Sequence, residues 1–165
     1  MIGAPQPDSP PLELALANPA ATEALGTRLG AALRAGDTVF LIGPMGAGKT
    51  SLARAAIAAW MGQGDAREAE APSPTYTLAQ TYEGPRGVLQ HLDLFRLRSP
   101  EEAEELGLYD VFDDMVRLIE WPEILGAGPE DRLEVHLSFD GAGEAAGRRA
   151  RVLGFGRQRE RMDGF

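Results

Sequence analysis

The chain has 165 residues, enough for one domain with its own core and too few for two comfortable ones. Its composition, 44% hydrophobic and 25% charged, is that of a soluble globular protein, and a formal charge of −9 speaks against broad contact with nucleic-acid backbone, which needs a basic face. There is no cysteine, so disulfides and thiolate metal sites are excluded; with neither a basic-then-apolar leader nor a bilayer-length apolar run, the expected location is cytoplasmic.

Residues 1–11, MIGAPQPDSPP, are proline-rich and predict a disordered lead-in. Leu12–Ala17 (LELALA) predicts a short strand. Asn18 then offers an N-cap with Pro19 in the first turn, and Leu25, Leu29, Ala32 and Leu33 recur at the spacing of a helix with one buried stripe, ended by Gly36-Asp37. Thr38–Ile42 (TVFLI) is a continuous apolar run, as a buried parallel strand requires. Beyond a glycine-rich loop, Ala53, Ala56, Ile57 and Trp60 repeat at helical spacing until Gly62. Thr77–Tyr82 and Val88–Phe95 flank EGPRG, a hairpin turn. Ser99-Pro100 opens a short acidic helix, and Val116–Glu120 is a buried strand stopped by Pro122. Arg132–Phe139 and Arg148–Phe155 alternate and are joined by a glycine-rich turn, which predicts an antiparallel pair at a sheet edge. Residues 157–165 are polar and predict a loose tail. In sum, the pattern predicts a three-layer α/β fold around a mostly parallel sheet with antiparallel edge strands.

The loop between the second strand and the second helix carries the strongest chemical signal. GPMGAGKT, Gly43 to Thr50, fits G-x-x-x-x-G-K-[ST], with Gly46 as a third glycine. Glycines let such a loop curl so that its N–H groups point at phosphate oxygens, and the helix that follows adds its positive end. Lys49 would reach the β- and γ-phosphates, and the Thr50 hydroxyl would ligate Mg²⁺. Lys49 is also the only lysine among 16 basic residues. A compact ammonium can lie along a phosphate chain where a broad guanidinium does not fit. The phosphate-binding set is therefore Gly43, Pro44, Met45, Gly46, Ala47, Gly48, Lys49, Thr50 and the adjoining Ser51, and residues 12–156 are expected to form one P-loop NTPase-like ATPase domain.

A P-loop needs an acidic partner for its metal near the end of a neighbouring buried strand. Glu120 follows the apolar run LI, and Asp93 lies in HLDLF. Spacing alone does not say which of the two binds Mg²⁺ and which orients the attacking water. His91 is read as pairing with a strand backbone group without chemistry, Tyr76 and Phe95 as core aromatics, and Arg96 as half of a surface ion pair. Trp121 fits either the core or the site. Seven carboxylates between Glu101 and Asp114 form a solvated face or a docking surface.

The order of GPMGAGKT, SPTYTL (Ser73–Leu78), HLDLFRL (His91–Leu97), EELGLYD (Glu104–Asp110) and IEWPE (Ile119–Glu123) resembles the TsaE (YjeE) family. These are small bacterial ATPases required for threonylcarbamoyladenosine modification of tRNA. The resemblance runs from about Asn18 to Val152; Met45 stands where the family usually has leucine, and Phe95 where it often has tyrosine. It implies ATP and Mg²⁺ as cofactors, TsaD and TsaB as partners, and only indirect contact with tRNA. It further implies Glu120 as a metal-associated residue beside Thr50, Asp93 as the catalytic carboxylate, and Thr75 as a switch threonine that approaches Mg²⁺ when the γ-phosphate is present. Lys49 joins Asp93 and Thr75 in catalysis, Trp121 lies near the site, and Pro19 and Thr22 contribute to the adenine pocket. A small-molecule kinase and a nucleotide-gated binding module with incidental hydrolysis remain alternatives. No arginine-rich lid segment of the kind kinases use is present.

Overall fold

In the computed structural model, residues 10–62, 78–107, 114–142 and 147–164 are described. The expectations for the lead-in 1–9, for Thr75, Tyr76 and the rest of SPTYT, and for residues 108–113 of the acidic stretch lie outside them.

Strands β1 (Leu12–Leu16), β2 (Thr38–Ile42), β3 (Ala79–Gly84), β4 (Gly87–Asp93), β5 (Val116–Glu120), β6 (Arg132–Asp140) and β7 (Gly147–Phe155) form one sheet. Its order is β1-β7-β6-β2-β5-β4-β3. The central four, β6, β2, β5 and β4, run parallel, and the pairings β1–β7, β6–β7 and β3–β4 toward the two edges are antiparallel. The β6–β7 pair is antiparallel as predicted, but it is not at the sheet edge where its sequence placed it. Strand β1 adds outside β7, because its leucines at alternate positions pack onto the same core.

Helices cover both faces. On one side α1 (Pro19–Ala32) and α2 (Lys49–Trp60) bring Leu25, Leu29, Leu52, Ile57 and Trp60 against Val39, Leu41, Leu118 and Val135. On the other, Ala103 of α3 (Pro100–Glu105) and Leu125 of the 3-10 turn Pro122–Leu125 meet Phe40, Leu92 and Ile119. Adjacent β2 residues thus enter opposite cores, which is why TVFLI is apolar throughout. Asn18 caps α1 as expected, its Oδ1 accepting from the Ala21 N–H at 2.9 Å, and Ser99 caps α3. Gly26 and Gly30 let α1 lie against the α2 backbone: a Cβ on Gly30 would stand 2.1 Å from the Ala56 carbonyl oxygen.

The tail is not loose. Gly156–Gly164 forms a 3-10 helix, in which Gln158 Nε2 donates to Asp37 Oδ1 at 2.7 Å and Arg161 Nη1 donates to both Asp37 oxygens at 2.7 Å. Arg161 also donates to the Ala32 carbonyl, and Arg86 of the β3–β4 turn donates to those of Gly30, Ala31 and Leu33. The exposed carbonyls at the end of α1 supply partners that the polar tail lacks locally. No described helix is long and apolar enough to cross a membrane. The carboxyl ends of parallel strands are where open α/β sheets bind ligands, and here β2, β4 and β5 end together on Ile42, Asp93 and Glu120.

Candidate nucleotide site

The loop after β2 is shaped by its glycines. Gly43 has φ +154°, and a Cβ there would lie 2.4 Å from the Leu137 carbonyl oxygen, a backbone atom that cannot step aside. Gly48 has φ +105° and serves as the N-cap of α2, with no side chain capping the helix. The first turn of α2 is thereby left as a concentration of N–H groups and positive dipole, the arrangement that holds a phosphate.

Lys49 is 5% exposed and folds back across this loop. Its Nζ donates to the Gly43 and Pro44 carbonyls at 2.6 and 2.9 Å and sits 4.0 Å from the centre of the Trp121 ring. Burial pushes the Lys49 pKa below its ordinary 10.5, while Glu120, Glu123 and Asp93 pull it the other way. Trp121 reaches the ammonium because its backbone is left-handed, φ 56° and ψ 53°, an uncommon conformation for a large side chain. Phe95 packs on the same ring, centroids 4.9 Å apart. It is 53% exposed, so it belongs to the rim of this site and not to the core expected of it.

Two carboxylates close the other side. Glu120, buried at the end of β5, accepts from Thr50 Oγ1 at 3.1 Å through Oε2. Its Oε1 lies 2.8 Å from Nε2 of His91, which is also buried. His91 therefore pairs with a site carboxylate and not with the strand backbone. Asp93 is in register beside Glu120 on β4; its Oδ1 accepts from the Phe95 N–H at 3.1 Å, and its own N–H donates to the Leu78 carbonyl. Val116, Leu118 and Glu120 share one face of β5, as Leu89, His91 and Asp93 do on β4, so strand alternation delivers both acids to the side that carries α2.

The remaining expected residues divide by position. Thr22 is buried beneath the loop, 3.2 Å from where a Cβ on Gly48 would stand, and Pro19 is one turn earlier on α1. Ala47 is buried, whereas Met45 and Ser51 are exposed. Arg148 was not legible beforehand. From β7 its Nη2 donates to the Gly46 carbonyl at 3.2 Å while its guanidinium lies over the Phe139 ring. Nothing local marks it, since only the β6–β7 pairing brings it to the loop.

The donors suit a hard cation shared with phosphate. Among the described residues no group of three or more His, Asp or Glu could hold a metal by itself. Thr50 and Glu120 offer two oxygens side by side, which fits Mg²⁺, an ion that takes one or two protein oxygens and completes its shell with phosphate and water.

A family model described as threonylcarbamoyl adenosine biosynthesis protein TsaE matches residues 16–149. The chain belongs to the TsaE family. Relatives carrying the name tRNA threonylcarbamoyladenosine biosynthesis protein TsaE include one from Rickettsia felis, 39% identical over 112 residues. That alignment covers 68% of this chain and 63% of the Rickettsia protein. A TsaE protein from Nostoc is 34% identical over 145 residues, covering 85% of this chain and 84% of its own. The crystal structure of Bacillus subtilis YdiB is similar at a TM-score of 0.68 and 25% identity, over 92% of this chain and 90% of that one. The fold expected of TsaE, a P-loop NTPase-like α/β sheet, is the fold observed.

Proposed function

We propose that this chain binds Mg·ATP at the loop Gly43–Thr50, hydrolyses it to ADP and phosphate, and serves threonylcarbamoyladenosine modification of tRNA together with TsaD and TsaB. The observation that carries the reading is the uncapped first turn of α2 beside a buried lysine and a hydrogen-bonded Thr50–Glu120 pair. The pathway rests on family membership and on the names of the relatives.

In this reading the loop amides and Lys49 hold the phosphates, Lys49 giving up its bonds to the Gly43 and Pro44 carbonyls to do so. Thr50 and Glu120 would hold Mg²⁺, which would supply positive charge to offset that of the phosphates. Asp93, one strand over, orients a water toward the γ-phosphorus and takes its proton as the bond to the departing ADP breaks. Trp121 covers Lys49, Pro19 and Thr22 flank the adenine, and Thr75 acts as the switch threonine. A chain of charge −9 meets proteins more readily than RNA backbone, so TsaD and TsaB are its direct partners, in the cytoplasm.

ATP labelled on the γ-phosphate tests this, supplied with Mg²⁺ and with TsaD and TsaB present. Label is expected in free phosphate, and Asp93→Ala should keep ATP binding while losing roughly 10²-fold or more in turnover. Label transferred to an added small-molecule acceptor would instead make the chain a kinase.

A further inference from the structure

We infer that His91 is a positioning residue, donating a hydrogen bond from Nε2 that fixes the Glu120 carboxylate in the orientation facing Thr50. The inference rests on Glu120 being metal-associated, as proposed above, and adds the group that holds it there.

His91 is 1% exposed and Glu120 2%, and the two are joined at 2.8 Å. Leu118 stands opposite His91 in the β4–β5 register, and Leu89 precedes it on the same face. An apolar side chain would fill this position at lower cost, since a buried polar ring must recover its lost hydration through hydrogen bonds. His91 recovers only one of its two: Nδ1 has no partner among the described residues. A buried acceptor without a donor is better tolerated than a buried N–H without an acceptor. We therefore assign the ring proton to Nε2, where it is donated to Glu120 Oε1.

That bond has a definite consequence. Glu120 Oε1 is occupied by His91 and Oε2 by Thr50, so the plane of the carboxylate is set from both ends. Without the His91 donor, Oε1 would be a buried, unsatisfied carboxylate oxygen, and rotating Glu120 to relieve it would turn Oε2 away from Thr50. Outer partners of this kind typically change metal affinity by about 10- to 100-fold when removed.

Gln and Asn separate the donor from the bulk. A glutamine amide nitrogen reaches the position of Nε2, whereas an asparagine amide reaches only that of Nδ1. Calorimetry on the full chain, titrating Mg²⁺ into protein and ATP, reads the metal midpoint; the same binding in chelator reads nucleotide affinity without metal. His91→Gln should keep the midpoint of the unaltered chain. His91→Asn should raise it by about 10- to 100-fold with metal-free affinity unchanged. His91→Met, apolar and close in volume, should do the same and carries the test if the asparagine variant does not fold. Asn and Met variants that titrate like the unaltered chain would overturn the inference, and so would a Gln variant as impaired as they are. An unaltered chain that binds ATP with no response to Mg²⁺ would remove the metal reading itself, a result visible before any variant is made.

Discussion

At the scale of single residues, Lys49 is the centre of the account. It is the only lysine in the sequence, it is buried, and its ammonium is held by two loop carbonyls and one aromatic face. These contacts keep a cation in place beside the α2 N-terminus, where dipole and charge would otherwise repel. The cost shows in the lowered pKa, caused by burial. Because the unfolded chain keeps that proton up to its ordinary 10.5, it binds more protons than the folded chain in the window just below that value. In that window this residue makes stability rise with pH. Urea midpoints measured across it should rise more steeply for the unaltered chain than for Lys49→Met. Parallel curves would contradict the burial effect. Thr50→Ala should leave ATP binding in chelator intact and weaken its Mg²⁺ dependence; a metal titration unchanged from the unaltered chain would count against Thr50 as a ligand. Lys49 and Thr50 were legible because their motif is contiguous. The choice between Asp93 and Glu120 as the neighbour of Thr50 was not legible in the spacing, because it depends on which strand lies beside β2, and that is β5. Only the family resemblance pointed to Glu120.

Among the elements, the α1–α2 pair sets where the phosphate loop sits. The leucine stripe of α1 was readable from its spacing, and all three of Leu25, Leu29 and Leu33 are buried. Gly26 and Gly30 carried no such signal, since a glycine in a helix reads only as a weak point. In the structure they are the contact surface, each facing a backbone carbonyl of α2. Gly30→Ala gains up to about 1 kcal/mol in helix propensity. Against this, a methyl group forced into backbone typically costs about 1–3 kcal/mol. The second effect should win because a carbonyl oxygen 2.1 Å away cannot rotate aside, so α1 must move. With the steric cost at the upper end of that range, a net loss of about 2 kcal/mol is expected in urea unfolding. A variant at least as stable as the parent would show that α1 is not pinned there.

Over the whole molecule, the sheet centre and the antiparallel pairs β3–β4 and β6–β7 were readable, and the order at the β1 edge and the docking of the tail were not. TVFLI is an apolar run because both faces of a central strand are covered, and VRLIE keeps Val116, Leu118 and Ile119 buried around Arg117 and ends on the site carboxylate Glu120. The placement of β1 outside β7 and the docking of the tail depend on partners more than 100 residues away, so short-range pattern carries no trace of them. Asp37 is where the tail attaches, receiving Gln158 and both ends of its carboxylate from Arg161. Arg161→Ala should therefore cost about 3 kcal/mol, because it leaves a buried carboxylate short of its cation. A urea midpoint equal to that of the parent would mean that the Arg161–Asp37 pair contributes nothing to stability. One binding event decides whether this loop is a nucleotide site. In calorimetry with excess Mg²⁺, the unaltered chain should bind ATP at one site, and Lys49→Ala should abolish that heat while remaining folded. Equal affinity in the two proteins would contradict the assignment of the loop Gly43–Thr50 to the nucleotide.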